Sequence, residues 1–126
     1  MTGKTLILTT LLATLAAIPA SAQPTRRDYP SCNLAQQHRL RAPTGGTIRD
    51  SRQAHLSMRA NILQADIGNA RKARRLTQPQ AQTLWKEVDR VRRDADHFVA
   101  KQGFLSAGEA ASYDRALDMV AMKICR

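Results

Sequence analysis

The sequence predicts an all-α protein: an antiparallel three-helix bundle, preceded by an irregular N-terminal arm that one disulfide ties to the bundle. Three observations predict this fold. Apolar residues recur at steps of three and four along three segments, and two of these segments begin with a helix-capping pattern. The five aromatic residues, six glycines and five prolines are too few for a strand-rich sandwich or barrel. With 126 residues, 43% apolar and 24% charged, the chain suits one soluble domain.

Residues 1–22 have the organisation of a cleaved secretory signal peptide. Lys4 supplies the positively charged start, residues 6–18 form an apolar stretch, and Ala20-Ser21-Ala22 matches the small-residue cleavage pattern. The apolar stretch is shorter than the roughly 20 residues of a membrane-spanning helix. We therefore expect a periplasmic or secreted protein with no transmembrane segment after cleavage, and a net charge one below the +10 of the full chain.

The two cysteines, Cys32 and Cys125, lie near opposite ends of the mature chain. In an oxidising compartment this placement predicts one disulfide. Their spacing excludes both a CxxC redox motif and a four-ligand zinc site. A bond that closes such a long loop would stabilise the fold by about 4 to 5 kcal/mol in the chain-entropy model.

Residues 23–48 are predicted to form an extended arm, and residues 49–126 a three-helix domain. The arm contains three prolines and the pair Gly45-Gly46, and it leaves room for at most a short helical turn around Leu34 to Arg39. The first helix is expected to begin near Arg49 and to end near Arg74. One face of this helix carries the apolar residues Leu56, Ala60, Leu63, Ile67 and Ala70.

The second helix is predicted to start at Thr77, the N-cap, with Gln80 closing a capping box. It is expected to stop at Gly103, which suits the left-handed conformation at a helix end. Its apolar seam is the most regular in the chain and consists of Ala81, Leu84, Val88, Val91, Ala95 and Phe98.

The third helix is predicted to start in the same way, with Ser106 as N-cap and Glu109 as its partner. Its seam consists of Ala110, Tyr113, Leu117, Val120 and Ile124. Short connections make neighbouring helices antiparallel, so the third helix would end beside the first loop. To reach Cys125 from Cys32, the arm must then run back along the bundle.

No arrangement of residues predicts catalysis, and we expect neither enzymatic activity nor a cofactor. His38, His55 and His97 are scattered, without the spacing of metal ligands, and we expect surface or boundary positions for them. The segment from Phe98 to Glu109 places glycine sixth and glutamate twelfth, as an EF-hand loop does. It lacks carboxylates at the first, third and fifth positions, so an ordinary connection between two helices is favoured.

The positive charge is unevenly distributed along the chain. Residues 49–93 carry a net charge of +7, whereas residues 94–126 carry −1. Such a field attracts anionic partners, and the alternative is an ordinary solvated face. The pairs Asp89–Arg93 and Arg90–Asp94 would neutralise part of the charge locally. The candidate residues for binding an anion or a partner are Arg71, Lys72, Arg74, Arg75, Arg90, Arg92 and Arg93.

The repeated pattern L-[TS]-x-x-[QE]-A begins at Leu76 and again at Leu105, which suggests either a duplicated unit or two helices that start alike. It resembles the helix starts of small exported bacterial all-α proteins of EF-hand-like type. The stretch Leu76-Thr77-Gln78-Pro79-Gln80 is also similar to the LTxxQ motif of the periplasmic Spy and CpxP stress proteins. That resemblance implies a non-enzymatic chaperone or stress modulator, although the second site here reads Leu-Ser-x-x-Glu and the cysteine pair is additional.

These observations favour a non-enzymatic, periplasmic or secreted helical binding protein, an envelope accessory or stress-related protein that uses a basic surface. Its expected partner is an envelope protein or an anionic surface, either lipopolysaccharide or membrane headgroups, while export disfavours nucleic acid. One alternative is an inhibitor or immunity protein that acts on an envelope enzyme. A second alternative is a degenerate EF-hand-like module that responds to a metal.

Overall fold

The computed structural model describes residues 28–126, and the predicted signal peptide lies outside them. The described elements are a 3-10 turn at Pro30–Cys32 and the helices α1 (Leu34–Gln37), α2 (Ser51–Lys72), α3 (Gln78–Gln102) and α4 (Ala107–Ile124). No strand occurs between residues 28 and 126, where the one sheet-like feature is an isolated bridge between Gly45 and Ile48. The predicted all-α class is therefore confirmed, and the three predicted long helices are α2, α3 and α4.

Side-chain caps fix where the long helices begin. The Thr77 hydroxyl accepts a hydrogen bond from the Gln80 amide, and the Gln80 side chain accepts one from the Thr77 amide. Ser106 and Glu109 form the same capping box at the start of α4. The N-cap of α2 is Asp50, which was not predicted from the sequence. Its carboxylate accepts hydrogen bonds from the amides of Arg52 and Gln53.

The predicted seams of the three long helices meet in one core. The fully buried side chains include Leu56 of α2, Val88 of α3 and Leu117 of α4. Two seam residues are only partly buried, Phe98 and Tyr113, and the neighbouring Val99 is buried instead of Phe98. None of the helices within residues 28–126 has the length and apolar composition that crossing a membrane requires.

Three polar contacts join the long helices to one another and to the connection before α4. Gln53, near the start of α2, donates to the Asp96 carboxylate near the end of α3 at 2.8 Å. Lys123, near the end of α4, pairs with Glu87 in the first half of α3. Arg52 donates to the carbonyl oxygen of Leu105, the residue before the cap of α4, at 3.0 Å.

The arm is fastened to the bundle at successive points. The predicted disulfide between Cys32 and Cys125 is confirmed. The Ser31 amide donates to the buried carboxylate of Asp66 at 2.9 Å, and the Arg49 amide donates to Gln53 at 3.2 Å. As the chain proceeds from Ser31 to Arg49, its contacts therefore move along α2 from Asp66 back to Gln53. The arm is also more structured than predicted, because Tyr29 is buried in the core and Pro30–Cys32 form a 3-10 turn.

Candidate functional site

The connection between α2 and α3 contains an arginine in the left-handed backbone conformation. Arg74 has φ of 58°, and the amides of Arg75 and Leu76 both donate to the carbonyl oxygen of Ala70. Helices usually end with glycine in this conformation, as α3 does at Gly103 with φ of 86°. An L-residue with a Cβ pays about 1–2 kcal/mol for left-handed backbone. Arg74 therefore occupies a position where glycine would be less strained.

Three cations project from this connection into solvent, and we call Arg71, Lys72 and Arg74 the basic corner. All three are exposed. Among residues 28–126, none of them forms an ion pair or a side-chain hydrogen bond. Since no carboxylate neutralises them, the basic corner keeps its full charge available to a partner.

Arg75, the fourth predicted cation of this connection, has a different environment. Its guanidinium lies 5.7 Å from the centroid of the Tyr29 ring, a distance typical of a cation–π contact. The side chain is half-buried, and its Nη1 atom has no hydrogen-bond partner among the described residues. Arg75 therefore packs against the arm, and its charge is less accessible than that of its neighbours.

The predicted cations of α3 are mostly engaged by neighbouring side chains. Arg92 donates to Asn61 and to Gln64 of α2, at 2.8 Å in both cases. Arg93 pairs with Asp89, as the spacing predicts. The predicted pair Arg90–Asp94 does not form, so Arg90 is exposed without an ion pair in the part of the chain described. The predicted patch thus divides into an unpaired basic corner and a stretch of α3 in which Arg92 and Arg93 are held by neighbouring side chains and only Arg93 is paired with a carboxylate.

A second polar cluster lies between the arm, α2 and α4, and we call it the His–Arg–Asp network. Arg59 is 2% exposed, and its two terminal nitrogens donate to the carboxylates of Asp114 and Asp118. His55 Nε2 lies 3.0 Å from Asp114, and His38 Nε2 lies 2.8 Å from Asp118. The network therefore joins the arm, α2 and α4 through charge-assisted hydrogen bonds.

The network favours the protonated form of His55. Its hydrogen bond to the Asp114 carboxylate raises the pKa most, and a hydrogen bond to the carbonyl oxygen of Leu40 adds to this, against the opposing effect of burial. Burial alone would raise the pKa of Asp114, but hydrogen bonds from His55 and Arg59 outweigh it and lower that pKa. Each ring nitrogen of His55 lies within hydrogen-bond distance of an oxygen acceptor, so both nitrogens donate when the ring is protonated.

The histidines take the surface and boundary positions expected from the sequence, since His38 and His97 are exposed and His55 is partly buried. The sequence did not predict that His38 and His55 belong to one network. The signal that could have revealed it is a pair of matching spacings: His55 and Arg59 are four residues apart on α2, and Asp114 and Asp118 are four residues apart on α4. Residues four apart share a helix face, so a cationic pair on one helix can meet an acidic pair on another.

We expect the stability of the protein to fall as the pH rises above about 6.5, the ordinary pKa of histidine. The pKa of His55 is raised in the folded state, so its contribution is complete below the unfolded pKa and is lost as the pH rises through the folded pKa. The groups that face its ring are Arg59, Asp114 and the Leu40 carbonyl, and Asp118 and His38 lie beyond them. Linkage limits the slope to about 1.4 kcal/mol per pH unit for one proton.

Urea unfolding between pH 5.5 and 8.5 measures this dependence, and the NMR titration of the His55 ring locates its pKa. In His55→Asn, the slope of the free energy of unfolding against pH should become shallower. The matched control is His97→Gln, which changes an exposed histidine outside the network and should keep the wild-type slope. Equal slopes in the wild type and in His55→Asn would contradict the assignment.

The EF-hand-like segment from Phe98 to Glu109 comprises the end of α3, the connection at residues 103–106 and the start of α4. The Glu109 carboxylate, at the position of the last calcium ligand, accepts the Ser106 amide at 2.9 Å and the Gln102 side chain at 2.8 Å. The hydrogen bond from the Ser106 amide lowers the pKa of Glu109. Within residues 28–126, no group of three His, Cys, Asp or Glu side chains is arranged to hold a metal ion.

Comparisons of the chain with protein-family models, with curated proteins and with solved structures each found no match.

Proposed function

We propose that this chain is a non-enzymatic, periplasmic or secreted binding protein, of envelope accessory or stress-related class, which binds anionic surfaces through the basic corner. The observation that carries the proposal is the contrast among its arginines. On α3, Arg92 and Arg93 are held by neighbouring side chains, whereas Arg71, Lys72 and Arg74 are exposed and unpaired within residues 28–126. The backbone strain at Arg74 adds to this, because a strained residue often marks a functional position.

The proposed architecture is an up-down-up bundle in which α3 is antiparallel to both α2 and α4. The contacts Gln53–Asp96 and Lys123–Glu87 support this direction, since each joins one end of a helix to the far part of its neighbour. In this arrangement the basic corner and the disulfide share one end of the bundle. The disulfide also supports an oxidising compartment, in keeping with the predicted export.

Binding to vesicles of phosphatidylglycerol, compared with vesicles of phosphatidylcholine, tests the proposal. Each cation near an anionic membrane contributes about 1 kcal/mol. We therefore expect the triple variant Arg71→Gln, Lys72→Gln, Arg74→Gly to lose most of its affinity for phosphatidylglycerol. Added salt should weaken wild-type binding in the same direction.

The matched control is the triple variant Arg41→Gln, Lys101→Gln, Arg115→Gln, which removes the same charge from exposed residues elsewhere. It should retain most of the affinity, because its cations lie outside the basic corner. An equal loss in both triple variants would show a response to net charge alone and would contradict the proposal. Salt-insensitive capture of one envelope protein, without vesicle binding, would favour an inhibitor instead.

Arg74→Gly alone separates binding from stability. Glycine relieves the strain of the left-handed backbone conformation, because it has no Cβ. We therefore expect the free energy of unfolding to rise by about 1 kcal/mol, as measured by urea unfolding. The same substitution removes one cation and should weaken binding to phosphatidylglycerol vesicles. A variant that is more stable and binds equally well would exclude Arg74 from the binding surface.

A further inference from the structure

Trp85 is the only tryptophan of the chain, and it lies on the surface of α3. Its side chain is 46% exposed, although tryptophan usually buries most of its large apolar ring. Its indole N–H has no hydrogen-bond partner in the described part of the chain. A ring with an apolar body and a free donor suits the boundary between water and an apolar phase.

Trp85 forms one wall of a groove of about 350 Å³ between α2 and α3. Ile67 and Ala81 lie at the bottom of the groove and are almost completely buried, and Gly68 of α2 also lines it. A Cβ added at Gly68 would meet no atom within 4 Å, so no neighbouring group requires glycine there by close approach. Glycine inside a helix is destabilising by roughly 0.5–1 kcal/mol relative to alanine. Its small size leaves this part of the groove open.

The charged residues that line the groove are both cations, Arg71 and Lys86. Neither forms an ion pair within residues 28–126. Arg71 also belongs to the basic corner, so the groove and the basic corner are continuous. The exposed indole and the unpaired cations together complement a molecule that has an anionic head and an apolar body.

We propose that the groove of Trp85, Arg71 and Lys86 is the face that contacts an anionic phospholipid membrane. The indole inserts at the level of the headgroups, where tryptophan is enriched, and the two cations bind lipid phosphates. This inference rests on the proposed function and adds to it an apolar, inserting contact. Purely electrostatic binding by the basic corner would leave Trp85 in water.

Fluorescence tests the inference directly, because every emitted photon from tryptophan comes from Trp85. With phosphatidylglycerol vesicles we expect the emission maximum of the wild type to shift to shorter wavelength. Phosphatidylglycerol brominated on its acyl chains should quench this emission by contact. Vesicles of phosphatidylcholine should produce neither effect.

Three variants examine the contact by vesicle co-sedimentation. Trp85→Ala is expected to bind phosphatidylglycerol roughly tenfold more weakly, since membrane affinity scales with buried apolar area. Gly68→Leu adds apolar area to the same face without changing any charge, so it should strengthen the affinity and keep the quenching. The matched control is Phe104→Ala, which removes an aromatic ring that is 53% exposed beyond the other end of α3 and should bind as the wild type does. Circular dichroism melting confirms that each variant is folded.

The outcomes separate this inference from the proposed function. If the wild type binds phosphatidylglycerol but its emission is unchanged and Trp85→Ala binds equally well, the inference is wrong and electrostatic binding remains. If the wild type binds no anionic vesicle, both proposals fail. If the emission shifts with protein concentration in the absence of lipid, and sedimentation shows a dimer, the groove is occupied by a second copy and the inference is overturned.

Discussion

Replacing Arg59 with methionine is expected to lower the free energy of unfolding by about 3–5 kcal/mol at pH 7. The Arg59 side chain is 3% exposed, and it separates two carboxylates, Asp114 and Asp118, that are themselves mostly shielded from water. Methionine fills a similar volume but supplies no charge, so the carboxylates would repel each other. Arg59 Nε has no hydrogen-bond partner among the described residues, so its loss adds little to the cost. Urea unfolding measures the change.

Two further variants identify the cause of this loss. Arg93→Met removes an arginine that is 69% exposed and pairs with Asp89 on the surface, and it should cost less than about 1 kcal/mol. Adding Asp114→Asn and Asp118→Asn to Arg59→Met should recover part of the lost stability, because the unpaired charges are then removed. If Arg59→Met costs no more than Arg93→Met, the network contributes little to stability.

The helical core could be predicted because its residues are apolar and evenly spaced. Along α3, the steps of three and four from Ala81 to Ala95 predict the buried face, and the polar residues between them lie outside it. The same reasoning is less informative for α2, since its buried face includes the polar side chains of Gln53, Arg59 and Asp66. Their partners belong to α3, α4 and the arm, so their burial becomes evident only when the helices are packed together.

The candidate surface could be predicted in part, because clustered cations are visible in any sequence. What the sequence does not reveal is which of them already have partners. Arg75 contacts Tyr29 and Arg92 contacts Asn61, and both partners lie far away along the chain. The exposure of Trp85 was missed for a related reason. A single aromatic residue beside an apolar seam does not show whether it faces the core or solvent.

Removing the disulfide is the second large effect that we expect. The free energy of unfolding of the double variant Cys32→Ala, Cys125→Ala should be lower than that of the oxidised wild type by about 4 to 5 kcal/mol. The bond joins residues 93 positions apart, and closing so long a loop removes much conformational freedom from the unfolded chain. Urea unfolding of the double variant, against the oxidised wild type, measures the difference. A loss below about 1 kcal/mol would contradict this account.

The native arm should remain docked in the double variant, because it has other attachments. Tyr29 is 3% exposed in the core, the Ser31 amide donates to Asp66, and His38 pairs with Asp118. Hydrogen exchange at the Ser31 amide distinguishes two origins of the lost stability. If the disulfide acts through the unfolded chain, this amide exchanges only by global unfolding and stays as protected as the core. If the disulfide instead holds the arm in place, the amide exchanges faster than the core of α3, since the arm then detaches while the three long helices remain folded.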